Sequence, residues 1–247
     1  MADIRVGLLG SEGRMGRAVT DALTDTVGMV AGPAADRDGD AAAVFAGSDV
    51  VIDFTPPGHT ARHAGLAAAH GTACVVGTTG LAAADHAAMD AAAMDVALVQ
   101  AGNFSLGVNL LTAFTRRAAA ILDDGWDIEI LEMHHRHKVD APSGTATLLG
   151  EAAAHGRGVA LDDVARRSRD GVIGERPAGE IGFATLRGGS VIGEHEVIFA
   201  AGSERLVLAH RAEDRGLFAR GALTAARWAA TAAPGRYDML DVLGLKD

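Results

Sequence analysis

The first sixteen residues decide most of what this chain can become. Ile4 to Leu9 reads as a buried strand and passes without a spacer into Gly10-Ser-Glu-Gly13-Arg-Met-Gly16. From Arg14 to Thr24 apolar residues recur at helical spacing, through Met15, Ala18, Val19, Ala22 and Leu23. Strand, glycine turn and helix in that order is the setting in which a dinucleotide fingerprint has physical meaning. Glycine lets the backbone approach a pyrophosphate, and the orphan N–H groups and dipole at a helix start favour the anion. The spacing differs from the common G-x-G-x-x-G, so a purely structural glycine turn is the competing explanation.

The alternation continues downstream. Gly28 to Ala31 is a weak strand that runs into Pro33, which suits a sheet edge or a strand end. Val50 to Thr55 is apolar on both faces, as a central parallel strand tends to be. A helix from His59 to His70 closes at Gly71; a strand from Ala73 leads to Gly77 and the turn Thr78-Thr79-Gly80; Ala82 to Ala93 is helical; and Ala97 to Gln100 ends in Ala101-Gly102-Asn103-Phe104. This order predicts a Rossmann-like α/β domain with a doubly wound parallel sheet.

After a helix from about Val108 to Leu122 the rhythm changes. A strand at Trp126 to Met133 and a helix at Thr145 to His155 precede a glycine- and arginine-rich stretch, 156–180, read as loop. Ile181 to Arg187, Glu194 to Ala200 and Arg205 to His210 are then closely spaced strands, which predicts an α+β domain with a mixed or antiparallel sheet. Leu217 to Ala230 is an amphipathic helix. The expected division is 1–104 with 215–247 for dinucleotide binding, and 105–214 for substrate binding and oligomerisation, with junctions near Asn103 and Arg215.

Composition excludes several functions. A net charge of -10 lacks the basic footprint of nonspecific nucleic-acid binding. The single cysteine, Cys74, sits in an apolar run, so it reads as a core residue, and it rules out an internal disulfide or a cysteine-based zinc cluster. With no signal-peptide pattern and no apolar run long enough to span a bilayer, a soluble, cytoplasmic protein without nucleic-acid or membrane partners is expected.

The densest chemistry lies in Glu132-Met-His134-His135-Arg-His137-Lys138-Val-Asp-Ala-Pro-Ser143-Gly144-Thr145-Ala146, with three histidines and a lysine within five residues. Exposed charge runs are usually solvated faces, but this one abuts a helix start. Metal binding is disfavoured, because no third ligand is evident and Lys138 would repel the ion; no metal is expected. Imidazole titrates near neutrality and can act as a general acid, and lysine is a fixed cation for an acidic substrate. The amides of Ser143, Gly144 and Thr145 can cradle a carboxylate. In the first domain, Asp36 stands twenty residues beyond Gly16, where an acidic residue reads the adenosine ribose, while Arg37 could meet a 2′-phosphate. NADH and NADPH both stay open. Glu12 should repel phosphate unless it points to solvent.

These motifs resemble the 4-hydroxy-tetrahydrodipicolinate reductase (dihydrodipicolinate reductase) family. The resemblance rests on Gly13-Arg-Met-Gly16, Val51-Ile-Asp-Phe-Thr55, Gly77-Thr-Thr-Gly80, Asn103-Phe-Ser-x-Gly107-Val-Asn109, the His134–Lys138 segment through Ala146, Ile181-Gly-Phe and Gly193-Glu-His195. It implies NADH or NADPH as hydride source, a cyclic dicarboxylate substrate in lysine and diaminopimelate biosynthesis, and a homotetramer built through the C-terminal sheet. It implies His134 as proton donor, Lys138 as its catalytic partner, and His135, Gly144 and Thr145 as substrate ligands. Cofactor contacts would come from Gly10, Ser11, Glu12, Gly13, Arg14 and Met15, from Asp36 and Arg37, from Gly77, Thr78 and Thr79, and from Ala101, Gly102, Asn103 and Phe104. The segment between Asp38 and Asp49 is shorter than in many members, as if one strand–helix excursion were missing, and Pro56 stands where some carry a basic residue. Closure about the two junctions would exclude water. A cysteine-thioester aldehyde dehydrogenase is disfavoured by the position of Cys74. A dinucleotide sensor without turnover is the non-enzymatic alternative.

Overall fold

A computed structural model describes residues 2–246. In chain order, β1 (Ile4–Leu9), α1 (Arg14–Thr24), β2 (Met29–Ala35), α2 (Ala41–Ala46), β3 (Val50–Asp53), α3 (Thr60–His70), β4 (Ala73–Val76), α4 (Ala83–Ala92) and β5 (Ala97–Gln100) alternate strictly. Then come α5 (Leu106–Ile121), β6 (Asp127–His134), α6 (Gly144–Arg157), α7 (Leu161–Val164), β7 (Ala165–Arg166), β8 (Ile181–Arg187), β9 (Glu194–Ala200) and β10 (Arg205–Arg211). The chain ends with α8 (Gly216–Ala229), β11 (Gly235–Tyr237) and α9 (Met239–Val242). Two compact units result, Met1–Leu106 with Arg215–Asp247, and Gly107–Asp214.

The first unit is a six-stranded sheet in the order β11-β5-β4-β3-β1-β2, with every pair parallel. Side chains alternate across it. Val50, Ile52, Val75 and Val99 meet Val19, Ala222 and Leu223 on one face, while Val51, Cys74 and Val76 meet Phe45, Ala64 and Met89 on the other. Both faces are therefore covered, as a parallel sheet requires. Burial and the nearby Asp53 carboxylate push the Cys74 thiol well above its usual range, which leaves it inert.

β1 sits between β2 and β3, so the direction of winding reverses there and a crevice opens beyond the carboxyl ends of β1 and β3. Pro33 lies within β2, longer than the sequence suggests, and is tolerated because β2 is an edge strand. The 38–49 segment holds a helix, α2, whose start is fixed by Asp40 accepting from the Ala42 and Ala43 amides. The 156–180 stretch is likewise not all loop, since α7 and the short β7 fall inside it.

The second unit has a five-stranded mixed sheet, β10-β9-β6-β8-β7. β6 pairs parallel with β8 and antiparallel with β9, and β10 closes one edge antiparallel to β9. In β6 the buried residues are Ile128, Ile130, Glu132 and His134; in β9 they are His195, Val197 and Phe199. The register sets Ile128 against Phe199, Ile130 against Val197 and Glu132 against His195. One face thus begins apolar, packed with Leu149, Ala153 and Phe183, and ends in ionisable groups. Buried charge survives only when paired, so that end must be a hydrogen-bonded network. Among the described residues no helix is long and apolar enough to cross a membrane.

Candidate active site

In the first unit the glycine loop is shaped by close backbone approach. Gly10 has φ +80°, a left-handed conformation suited to glycine, and its amide donates to Ala35 O. A Cβ on Gly16 would stand 2.2 Å from Gly10 O and 2.6 Å from Ser11 Cα, so only glycine lets α1 pack on the loop. Gly13 is the N-cap of α1, and that helix start has neither a side-chain cap nor an acidic residue in its first turn. Its amides are left for an anion.

Asp36, just past β2, accepts from Ser11 Oγ at 2.6 Å and from the Glu12 amide at 2.9 Å. The carboxylate is thereby locked to the rim of the glycine loop, and Ser11 and Glu12 act on it through a hydroxyl and an amide. The Glu12 residue itself is exposed, and it lines a shallow surface pocket with Ser11, Asp36 and Arg37. A cavity of about 560 Å³ runs from Gly10 and Gly13 past Asp36 and Arg37 to Pro56 and Arg62. A second, of about 330 Å³, brings Gly13, Arg14 and Met15 together with Gly77, Thr78 and Thr79. Thr78 Oγ1 donates to Thr55 O at 2.8 Å and fixes that turn. Asn103 Oδ1 accepts from the Ser105 amide, and Phe104 is 2 % exposed and edge-on to Phe54, so its side chain belongs to the core and only its backbone can meet a ligand. An uncapped helix start, a carboxylate fixed at the rim of the glycine loop and the cavities beside them fit a nicotinamide dinucleotide.

Asp53 and His63 escaped the sequence reading. Asp53 is fully buried and accepts from the Thr55 amide, Thr55 Oγ1 and His63 Nδ1 at 2.8, 2.6 and 2.7 Å. Its signal was a carboxylate ending an otherwise apolar central strand.

In the second unit Glu132 is the hub, 1 % exposed. Its Oε2 accepts from His134 Nδ1 at 2.5 Å and Arg187 Nη1 at 2.8 Å; its Oε1 accepts from Arg187 Nη2 at 2.9 Å and the Ser143 amide at 3.0 Å. Burial works to raise this carboxyl, yet the bonds from Arg187, His134 and Ser143 hold it below the usual carboxylate range. His134 ends β6, and the chain then turns, with the Lys138 amide on His135 O. Lys138 and His134 therefore do not share one regular strand or helix face, because β6 stops between them. Lys138 Nζ grips both oxygens of the half-exposed Asp140 at 2.7 and 2.8 Å, and that hydrogen bond lowers the Asp140 carboxyl.

Ser143 N-caps α6, its Oγ accepting from the Ala146 amide at 3.1 Å. Its own amide is spent on Glu132, so that amide does not join those of Gly144 and Thr145 in a carboxylate cradle as the sequence suggested, and only the Ser143 hydroxyl remains for a ligand. His195 Nε2 lies 3.2 Å from Ser143 Oγ, and the His195 ring is 5.1 Å from that of His134, nearly edge-on. Burial, reinforced by the charge of His134 and opposed by Glu132, pushes His195 down to about 4. Glu132, Arg187 and His195 were given no role in the sequence reading. A carboxylate and a histidine in phase with Ile128, Ile130, Val197 and Phe199 were the signal. Among the described residues no three His, Cys, Asp or Glu side chains are grouped to hold a metal ion.

Comparison with known proteins completes the picture. The family model described as "Dihydrodipicolinate reductase, N-terminus" matches residues 4–104, and "Dihydrodipicolinate reductase, C-terminus" matches residues 107–243. A 4-hydroxy-tetrahydrodipicolinate reductase of Rhodopseudomonas palustris (strain BisB5) is 50% identical over 270 residues, covering 100% of both chains. One from Roseobacter denitrificans is 49% identical, covering 99% of this chain and 98% of the relative. Among solved structures, dipicolinate-bound dihydrodipicolinate reductase from Paenisporosarcina sp. TG-14 superposes with a TM-score of 0.78 at 22% identity, covering 97% and 98% of the two chains. A probable dehydrogenase from Thermotoga maritima reaches 0.64 at 12% identity over 98% and 93%, which shows the fold alone.

Proposed function

Because the chain belongs to the 4-hydroxy-tetrahydrodipicolinate reductase family and catalyses that reduction in lysine biosynthesis, we propose that His134 is its proton donor, Lys138 the catalytic partner and the start of α6 the carboxylate site. The observation that carries this is the fixed His134 ring: Nδ1 is held by Glu132 at 2.5 Å, and Nε2 lies beside Gly193, where an added Cβ would stand 3.0 Å away. One nitrogen is anchored and the other is left to deliver a proton.

When bound, NADH or NADPH supplies the hydride. Gly10, Ser11, Glu12, Gly13, Arg14 and Met15 shape the loop that takes the pyrophosphate. Asp36 meets the adenosine ribose, with Arg37 beside it. Gly77, Thr78 and Thr79, with the backbone of Ala101, Gly102, Asn103 and Phe104, line the remaining wall.

His134 gives its proton from Nε2 to the reduced substrate. Through the transfer the ring keeps Nδ1–H on the Glu132 carboxylate, so only Nε2 changes. Glu132 does not take the proton, because Arg187 and the Ser143 amide hold it ionised. Dipicolinate, named for the Paenisporosarcina protein, is a ring with two carboxylates, and the substrate here is a cyclic dicarboxylate of the same layout. Lys138 has three donors, enough for Asp140 and one substrate carboxylate together. His135 and the amides of Gly144 and Thr145 take the other. Assembly as a homotetramer is supported by exposed apolar residues on the second sheet, Leu186, Leu206 and Val207.

His134→Gln is expected to lower kcat by about a hundredfold or more, the scale of a lost general acid, with NADH affinity kept. Lys138→Ala should show a parallel loss. Wild-type rates in both variants, measured as NADH consumption, would sink the assignment.

A further inference from the structure

His195 is 3 % exposed and takes no direct part in the assignments above. Its Nδ1 is buried with no hydrogen-bond partner among the described residues, while Nε2 lies 3.2 Å from Ser143 Oγ. The charged and titratable groups around it are Glu132 and His134 on β6, His210 on β10, Arg187 at the end of β8, and Lys138 in the following turn. Glu132 is bonded to His134, and His195 has no carboxylate partner among the described residues.

The donors and acceptors can be counted. Ser143 Oγ already accepts from the Ala146 amide. If the Ser143 hydroxyl donates to His195 Nε2, neutral His195 carries its proton on Nδ1, where a buried N–H has no acceptor. If instead Nε2–H donates to Ser143, Nδ1 keeps only an unused lone pair, and buried orphan N–H groups are rarer than under-used acceptors. The Ser143 proton is then the one without an internal acceptor. It lies at the start of α6, where Gly144 leaves open space: an added Cβ there meets nothing within 4 Å.

We propose that His195 is a positioning residue of the carboxylate site: by donating Nε2–H to Ser143 Oγ, it turns the Ser143 hydroxyl proton toward a substrate carboxylate at the α6 N-terminus. The inference rests on the carboxylate site proposed above. The depressed His195 pKa agrees with it, since the ring that donates from Nε2 and leaves Nδ1 an acceptor is the neutral one.

Dipicolinate binding, followed by calorimetry with NADH present, provides the test. Ser143→Ala and His195→Phe should each weaken binding by about tenfold or more, the worth of a hydrogen bond to a charged group. The double variant should lose no more than Ser143→Ala alone, because His195 acts through Ser143. His195→Gln, whose amide can donate from a similar position, should recover most of the affinity. NADH affinity in the absence of dipicolinate should not change in any variant. Additive losses, or a His195→Phe variant that binds normally, overturn the role of His195 while leaving the carboxylate site standing. Normal binding by Ser143→Ala with Gly144→Pro also normal overturns both. Should the phenylalanine variant not fold, the wild-type enzyme decides: isotope-labelled histidine nitrogens should report the Nε2–H tautomer at His195, and the Nδ1–H tautomer would overturn the proposal.

Discussion

Glu132 shows how much of the second unit's behaviour follows from one side chain. Its carboxylate is buried on a strand face that starts with Ile128 and Ile130, and Arg187 is its principal counter-charge. Arg187→Met should therefore cost about 3 kcal/mol near neutral pH in urea unfolding, because it strands a buried charge. Glu132's folded pKa lies below its unfolded value, so its contribution is present above the usual carboxylate range and lost as pH falls through the lower folded value. The deficit of the Arg187→Met variant should shrink in acid accordingly. His195 predicts a second pH effect. Its folded value of about 4 lies below the ordinary 6.5, so the unfolded chain binds that proton first. Stability should fall as pH drops from about 6.5 to about 4, by roughly 3 kcal/mol in all, and His195→Gln should flatten that slope. Thermal unfolding across this window, with no difference between the two proteins, would refute the assignment.

The elements that were legible in the sequence are those whose burial is one-sided or total. β3 and β4 are buried at every position, and β6 and β9 alternate cleanly, so apolar pattern alone locates them. α2, α7 and β11 are six, four and three residues long, too short for a period to emerge, and tertiary packing decides them. The candidate site divides in the same way. His134, Lys138 and the α6 start stand in one contiguous segment and could be read directly. Arg187 and His195 reach Glu132 and Ser143 only through strand register, across sequence separations of 55 and 52, which no local pattern reports. At the glycine loop, Gly16→Ala tests the packing of α1: with 2.2 Å to Gly10 O, the variant should lose about 1–3 kcal/mol and bind NADH more weakly. Unchanged NADH affinity in a fluorescence titration would show that the loop tolerates a side chain there.

For the whole molecule, the two cavities proposed for the dinucleotide are lined entirely by residues of the first unit, which draws on both ends of the chain. NADH at a hundred times its Kd should add about 2.7 kcal/mol to that unit's stability. Hydrogen exchange should then slow in β1 to β5 and equally in α8 and β11, although more than a hundred residues separate them in sequence. Protection confined to the N-terminal strands would show that the C-terminal return is not energetically part of the unit.

That return also sets a timetable. α8 covers one face of the parallel sheet with Ala219, Ala222, Leu223 and Ala226, and β11 extends the sheet beyond β5. Both are made last. During synthesis the first five strands leave the ribosome with that face covered only in part, by α1, and the continuous Gly107–Asp214 unit is made before its predecessor can be completed. The part translated first is the part finished last, and until α8 arrives the apolar surface it covers lacks that partner.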